Sequence, residues 1–399
     1  MQLGWIDYSK DERNKIVLIL RLLGTQTALD ELGIGTVRDG FSDLLFPGIS
    51  TLQTRAKYFV LIPYLFHLAE TQHFTKTSDV GLWLGKQEEI LVKTLVENSN
   101  ASEEGIIGSR TYKQGRTVKL KPSSIYWNGL RTLGILRQPE LSIDNACEIT
   151  YLYSRKRKEI SLKAEGDIEA ADDKDVLNDG LVLFMPIIPD PDFLIHGTID
   201  LNNKEAVYLF ERFTQGDATK HSLLAHMIKN GLMFDSFADI DANALPDRLA
   251  TIVRLAQDFA DFIYGAHLLY NIIYSEGKDP AIQNDFKQWL KDEYRSLDLH
   301  TIITMTKCSS SDGVGAFLLE FNRHIQNGDI EAAKQLLINR ERFIKRDRAK
   351  LCKPQQYRYE RPVHHYRLSY RFGTAKDIIQ DIFKGLERHY GKNNISPGK

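Results

Sequence analysis

Along most of the chain the apolar positions return every third or fourth residue, the spacing that gives a helix one buried stripe. Ser9 followed by Glu12 forms a capping-box pattern ahead of Ile16, Val17, Leu18 and Leu20, and Gly24 closes that segment. A second helix is predicted from about Thr36 through Val37, Phe41, Leu44 and Leu45, stopped by Pro47 and Gly48. Ser50 or Thr51 then caps a third over about Leu52–Thr71, and Trp83–Glu97 reads as a fourth. Later windows with the same period are Asn203–Thr214, His221–Met233, Pro246–Tyr274, Gln283–Leu297, Gly315–Ile325, Ile330 to about Lys350 and Thr374–His389. The expected fold class is therefore mainly α. The most lipid-like run, Ala56–Ala69, is shorter than the roughly 20 residues of a membrane span and contains Lys57, Pro63 and His67. A proline-kinked core helix is expected there, and no membrane contact.

Between Gly105 and Cys147 the pattern changes. Glycines, the alternation in Arg116–Pro122, a short helix from Ser124 and the exit Leu133-Gly134-Ile135 read as a small winged-helix-like α+β insert. The segment Lys163–Gly180 holds seven acids against two lysines, the pattern of an exposed linker. The expected order is a helical domain over 1–104, the basic module over 105–162, an acidic linker over 163–192, a helical domain over 193–390 and a polar tail over 391–399.

Composition narrows the class. The chain has 399 residues, 42% apolar and 26% charged, with a net charge of -1, which excludes a polycation and an acidic DNA mimic. Its three cysteines, Cys147, Cys308 and Cys352, are far apart, so neither a zinc module nor a disulfide framework is expected. The first residues show no basic start and no small-residue cleavage site, and a cytoplasmic location is expected.

The near-neutral total conceals segregation. From Gly108 to Arg137 there are seven basic residues, Arg110, Lys113, Arg116, Lys119, Lys121, Arg131 and Arg137, and no acid. From Lys334 to Arg371 there are 12 basic residues, among them Arg346, Arg348, Arg367 and Arg371, against Glu341, Asp347 and Glu360. Such runs can hold phosphates, and Tyr366 or Tyr370 could stack on bases, whereas Trp127 reads rather as core. A solvated face paired with acidic loops is the plainer reading of any charge run.

Catalytic patterns are missing. There is no P-loop, no dinucleotide-binding glycine pattern and no nucleophile elbow. His221 and His226 are wrongly spaced for a zinc-binding pair, so neither a metal nor another cofactor is expected. One polar cluster remains: Arg38, Asp39, Asp43, Gln53, Thr54, Arg55, Lys57 and Tyr58 flank the Pro47-Gly48 turn of an αα-hairpin. A buried salt-bridge network is its simplest role, and a ligand pocket or an acid–base pair are the alternatives.

The segments Gly4–Arg13, Glu31–Phe59, Pro122–Leu136 and Tyr366–Arg371 resemble, in this order, the bacterial family catalogued as domain of unknown function 6361. Lys57 stands where an Arg is expected. The resemblance implies an accessory role in bacterial phage-defence or DNA-modification clusters, with no catalytic residues to carry over. The expected function is a DNA-binding or assembly subunit of a defence complex. The alternatives are a protein–protein scaffold, or a metal-dependent nuclease built on Asp39, Asp43 and Arg55.

Overall fold

A computed structural model describes residues 30–99, 105–164, 183–185, 187, 192–295, 297–308, 313–353 and 356–387. It contains fifteen α-helices and, among the described residues, no strand. The helix expected over Ile16–Gly24, most of the acidic stretch and the polar tail lie outside these residues. The described chain forms two compact units: a central unit of residues 42–241 and 371–387, and a C-terminal unit of residues 30–41 and 242–370. The division falls inside α1, Gly35–Leu45.

The centre of the central unit is α2, Tyr58–Glu70. Ten of its residues are buried, Pro63 among them, so it is apolar on every side and needs neighbours all round. It starts later than the predicted Leu52, because residues 52–57 form the loop that places Arg55 and Lys57. Against it pack α3 (Thr77–Asn98), α5 (Pro122–Thr132) and α6 (Ile143–Ala164). Phe59 joins two layers, with its ring centroid 4.9 Å from Tyr126 on α5 and 5.6 Å from Phe213 on α8 (Asn203–Gln215). Short α4 (Ser109–Lys113) lies on α3, as does α7 (Phe193–His196), while α8 packs with α9 (Leu223–Lys229) and α15 (Phe372–Glu387).

The winged-helix-like insert is not what forms. Helix α5 ends at Gly134, whose φ of +63° is the left-handed conformation that suits glycine, with the Ile135 N–H returning to the Leu130 carbonyl at 2.9 Å. The following residues make one antiparallel bridge, Leu136 to Phe184, and then enter the 22-residue helix α6 instead of a β-wing. Its buried positions include Ala146, Cys147, Thr150 and Ser154, at helical spacing but too small and polar to announce a helix.

The C-terminal unit is organised by α10, Asp247–Tyr274. It packs with α11 (Pro280–Gln288), the π-helical segment Trp289–Glu293 and α14 (Ile330–Lys345); α13 (Val314–Gln326) packs on α14 and α12 (Leu299–Met305) on α13. Gly265 admits the Trp289 indole: a Cβ there would meet its ring carbons at 2.1 Å. Asn271 clamps the segment after α14: its side-chain amide donates to the Val363 carbonyl and accepts the Val363 N–H, both at 2.8 Å.

Candidate nucleic-acid interface

The first basic stretch belongs to the central unit, where local geometry sorts its seven cations. At the start of α5 the Glu88 carboxylate of α3 accepts the Ser123 N–H at 2.8 Å, taking up a helix-end donor. Burial pushes the Glu88 pKa up, and the bonds from Ser123 hold it back. Lys121 donates to the Gly85 carbonyl at 2.6 Å and lies 3.2 Å from Glu89. Arg131 donates to the Leu141 carbonyl at 3.2 Å, and the Trp127 indole uses the same oxygen at 2.8 Å. Lys121 and Arg131 therefore help to seat α5, and Trp127 is core, as expected.

The other five behave differently. Arg110, Lys113, Arg116, Lys119 and Arg137 are exposed on α4, on the turn after it and at the bridge beyond α5. Among the described residues, Arg110, Arg116, Lys119 and Arg137 have no carboxylate partner. The three within ten residues of one another, Arg110, Arg116 and Lys119, raise the local potential and favour an anionic counterpart.

The second basic stretch lies in the C-terminal unit up to Tyr370, and acids take up much of its charge. Lys345 and Lys350 reach Glu31 at 2.7 and 3.3 Å, and the His364 Nε2 is 2.5 Å from the same carboxylate. Burial opposes the Glu31 charge, but hydrogen bonds with His364 and Lys345 prevail and hold its pKa far below the ordinary value. Arg367 pairs with Asp261 at 2.6 Å and with Glu293, its guanidinium 4.5 Å from the Tyr264 ring centre. Tyr370 is 2% exposed and donates to the Ala256 carbonyl at 2.6 Å, so it offers no stacking face. Arg346, Arg348 and Tyr366 remain exposed.

The polar cluster divides as well. Arg38 and Asp39 pair with each other at 3.2 Å in the C-terminal unit. In the central unit Asp43 pairs with Arg371 at 2.8 Å, and Gln53 closes the turn by donating to the Gly48 carbonyl at 3.0 Å and accepting from the Ser50 N–H at 3.1 Å. Arg55 reaches both oxygens of Asp381, at 2.9 and 3.0 Å, and Asp200 at 2.9 Å. Burial works against the Arg55 charge, but the bonds with Asp381 and Asp200 raise its pKa. The Tyr58 hydroxyl accepts the Ile107 N–H at 2.9 Å, and burial raises its pKa.

Sequence reasoning missed the partners that complete this cluster, Tyr126 for Thr54 and Arg55 and Glu205 for Lys57. The Tyr126 hydroxyl accepts from Thr54 and Arg55 N–H at 2.8 and 3.0 Å, and burial pushes its pKa up to about 12. Lys57 lies 2.6 and 2.8 Å from the two oxygens of buried Glu205, which also accepts from Tyr64 at 3.3 Å. The capping-box spacing Asn202 to Glu205 was a visible signal for the helix start, but the partner 148 residues away was not. A pocket of about 380 Å³ opens beside Lys57, Asp200 and Glu205, whose charges are already engaged with the protein. Among the described residues no three His, Cys, Asp or Glu side chains converge as a metal-holding set, and no helix is long and apolar enough to cross a membrane.

The family profile of the Family of unknown function (DUF6361) matches residues 1–296, and the chain belongs to that family. Comparison with curated proteins and with solved structures returned no match.

Proposed function

We propose that this chain is a nucleic-acid-binding subunit, with DNA its expected partner, that grips phosphates through Arg110, Arg116, Lys119 and Arg137. The observation that carries the reading is that these four cations stay exposed, with no carboxylate partner among the described residues, after the fold has engaged Lys121 and Arg131 internally. A bacterial anti-phage assembly is the setting the family resemblance favours, and there such a subunit would hold nucleic acid for its neighbours. Of the later stretch, Arg346, Arg348, Arg358 and Arg361 are exposed and would serve a secondary contact.

Four phosphate contacts give a log–log salt slope of about −3.6, hence a loss of about 150-fold in affinity between 50 and 200 mM salt. Anisotropy titrations of the full chain with a labelled duplex measure it. Replacing Arg110, Arg116, Lys119 and Arg137 together by Gln should flatten the slope and remove most low-salt affinity. Arg367→Gln, at a site already occupied by Asp261 and Glu293, should leave binding unaltered. Unchanged affinity and slope in a folded quadruple variant would overturn the reading.

A further inference from the structure

The cleft that Arg116 lines points to a more specific partner. Helix α3 forms one wall and the turn after α4 the other, enclosing about 520 Å³, a size ordinary for a small-molecule pocket. Ile90, Tyr112 and Val118 give it an apolar and aromatic lining, and Lys86, Lys93 and Arg116 bring positive charge to it.

The local backbone explains the shape. Gly108 has φ of +86°, and a Cβ there would sit 2.5 Å from Val118, so the glycine lets Val118 close onto the start of α4. Gly115, at φ of +65°, ends the helix by donating its N–H to the Tyr112 carbonyl at 2.8 Å and has open space where a side chain would be. The Tyr112 hydroxyl is 3.4 Å from Glu97, which ties the ring to α3 at its far end. Lys86 and Lys93 are seven residues apart and so share one side of α3. The acid in the lining, Glu89, faces Lys121 at 3.2 Å, which offsets its repulsion of an anion.

A duplex buries the faces of its bases and offers a concave apolar cleft little to bury. A single strand offers both a flat base and the phosphates that flank it. We infer that this cleft receives an unstacked base of a single-stranded nucleic acid against Tyr112, Ile90 and Val118, with neighbouring phosphates on Lys86, Lys93 and Arg116. The inference rests on the nucleic-acid reading above and adds the strandedness of the partner.

The test compares a short labelled oligodeoxythymidine with a duplex of equal length, by anisotropy at about 50 mM salt. The single strand should bind more tightly. Tyr112→Ala should weaken it by about 5- to 100-fold, the worth of one stacked base, and leave duplex binding unchanged. Tyr112→Phe, which keeps the ring and loses only the contact with Glu97, should retain single-strand affinity. If Tyr112→Ala melts early, Lys86→Gln with Lys93→Gln on exposed positions of α3 carries the test, with a larger loss for the single strand than for the duplex. Duplex preference in the parent chain, or equal losses on both probes, overturns the cleft assignment and leaves phosphate binding standing. Absence of binding to either probe at low salt overturns both.

Discussion

His267 makes the stability of the C-terminal unit depend on pH in a predictable direction. Its ring is 4% exposed, stacks on His364 with centroids 5.1 Å apart, and has neither nitrogen hydrogen-bonded among the described residues. Burial, reinforced by the neighbouring His364, lowers its pKa from 6.5 to about 3, with Glu31 acting weakly the other way. The unfolded chain therefore takes up a proton at this residue below pH 6.5 and the folded chain does not. Stability is lost as pH falls, at up to about 1.4 kcal/mol per pH unit. Between pH 7.5 and 4.5 this amounts to about 3 kcal/mol, most of it below pH 6.5. The perturbation is His267→Phe, which keeps a ring against His364 but cannot titrate. Urea unfolding of both proteins across pH 4.5–7.5 is the assay. Glu31 is common to both, so its contribution largely cancels in the comparison. The parent should lose about 3 kcal/mol more than the variant. Parallel curves would refute the claim that a neutral imidazole is trapped in the fold.

Three further outcomes follow from particular contacts. Gly265→Ala lies inside α10, where alanine would ordinarily stabilise by about 1 kcal/mol. The Trp289 ring at 2.1 Å reverses the sign, and calorimetry should show a net loss of about 1–3 kcal/mol; any rise in Tm contradicts the packing. Lys57→Met leaves Glu205 buried without its cation, and denaturant titration should register about 3–5 kcal/mol of destabilisation. A change near zero would show that the pair is solvated in solution. Tyr126→Phe strands the N–H groups of Thr54 and Arg55, with an expected loss of about 1–3 kcal/mol in the same measurement and faster amide exchange at both positions.

The sequence alone was sufficient for the helices whose buried face is made of large apolar residues. The 28-residue α10 and α13, with Phe317, Leu318 and Phe321, could be read from their period, because burial of such side chains dominates the local choice of structure. The acid-free run from Gly108 to Arg137 was equally visible, since formal charge is a property of composition. Helix α6 was not, because Ala146, Cys147, Thr150 and Ser154 form its buried face; the Ser142–Asn145 cap was the one local sign of its start. Only the tertiary structure decided which charges remain outward. Lys121 is engaged by Glu89, 32 residues earlier, and Arg367 by acids 106 and 74 residues away, whereas Arg110, Arg116, Lys119 and Arg137 meet no carboxylate among the described residues. The energy of an ionic group is set within a few ångströms of it, and chain folding, not position along the polymer, chooses what stands there.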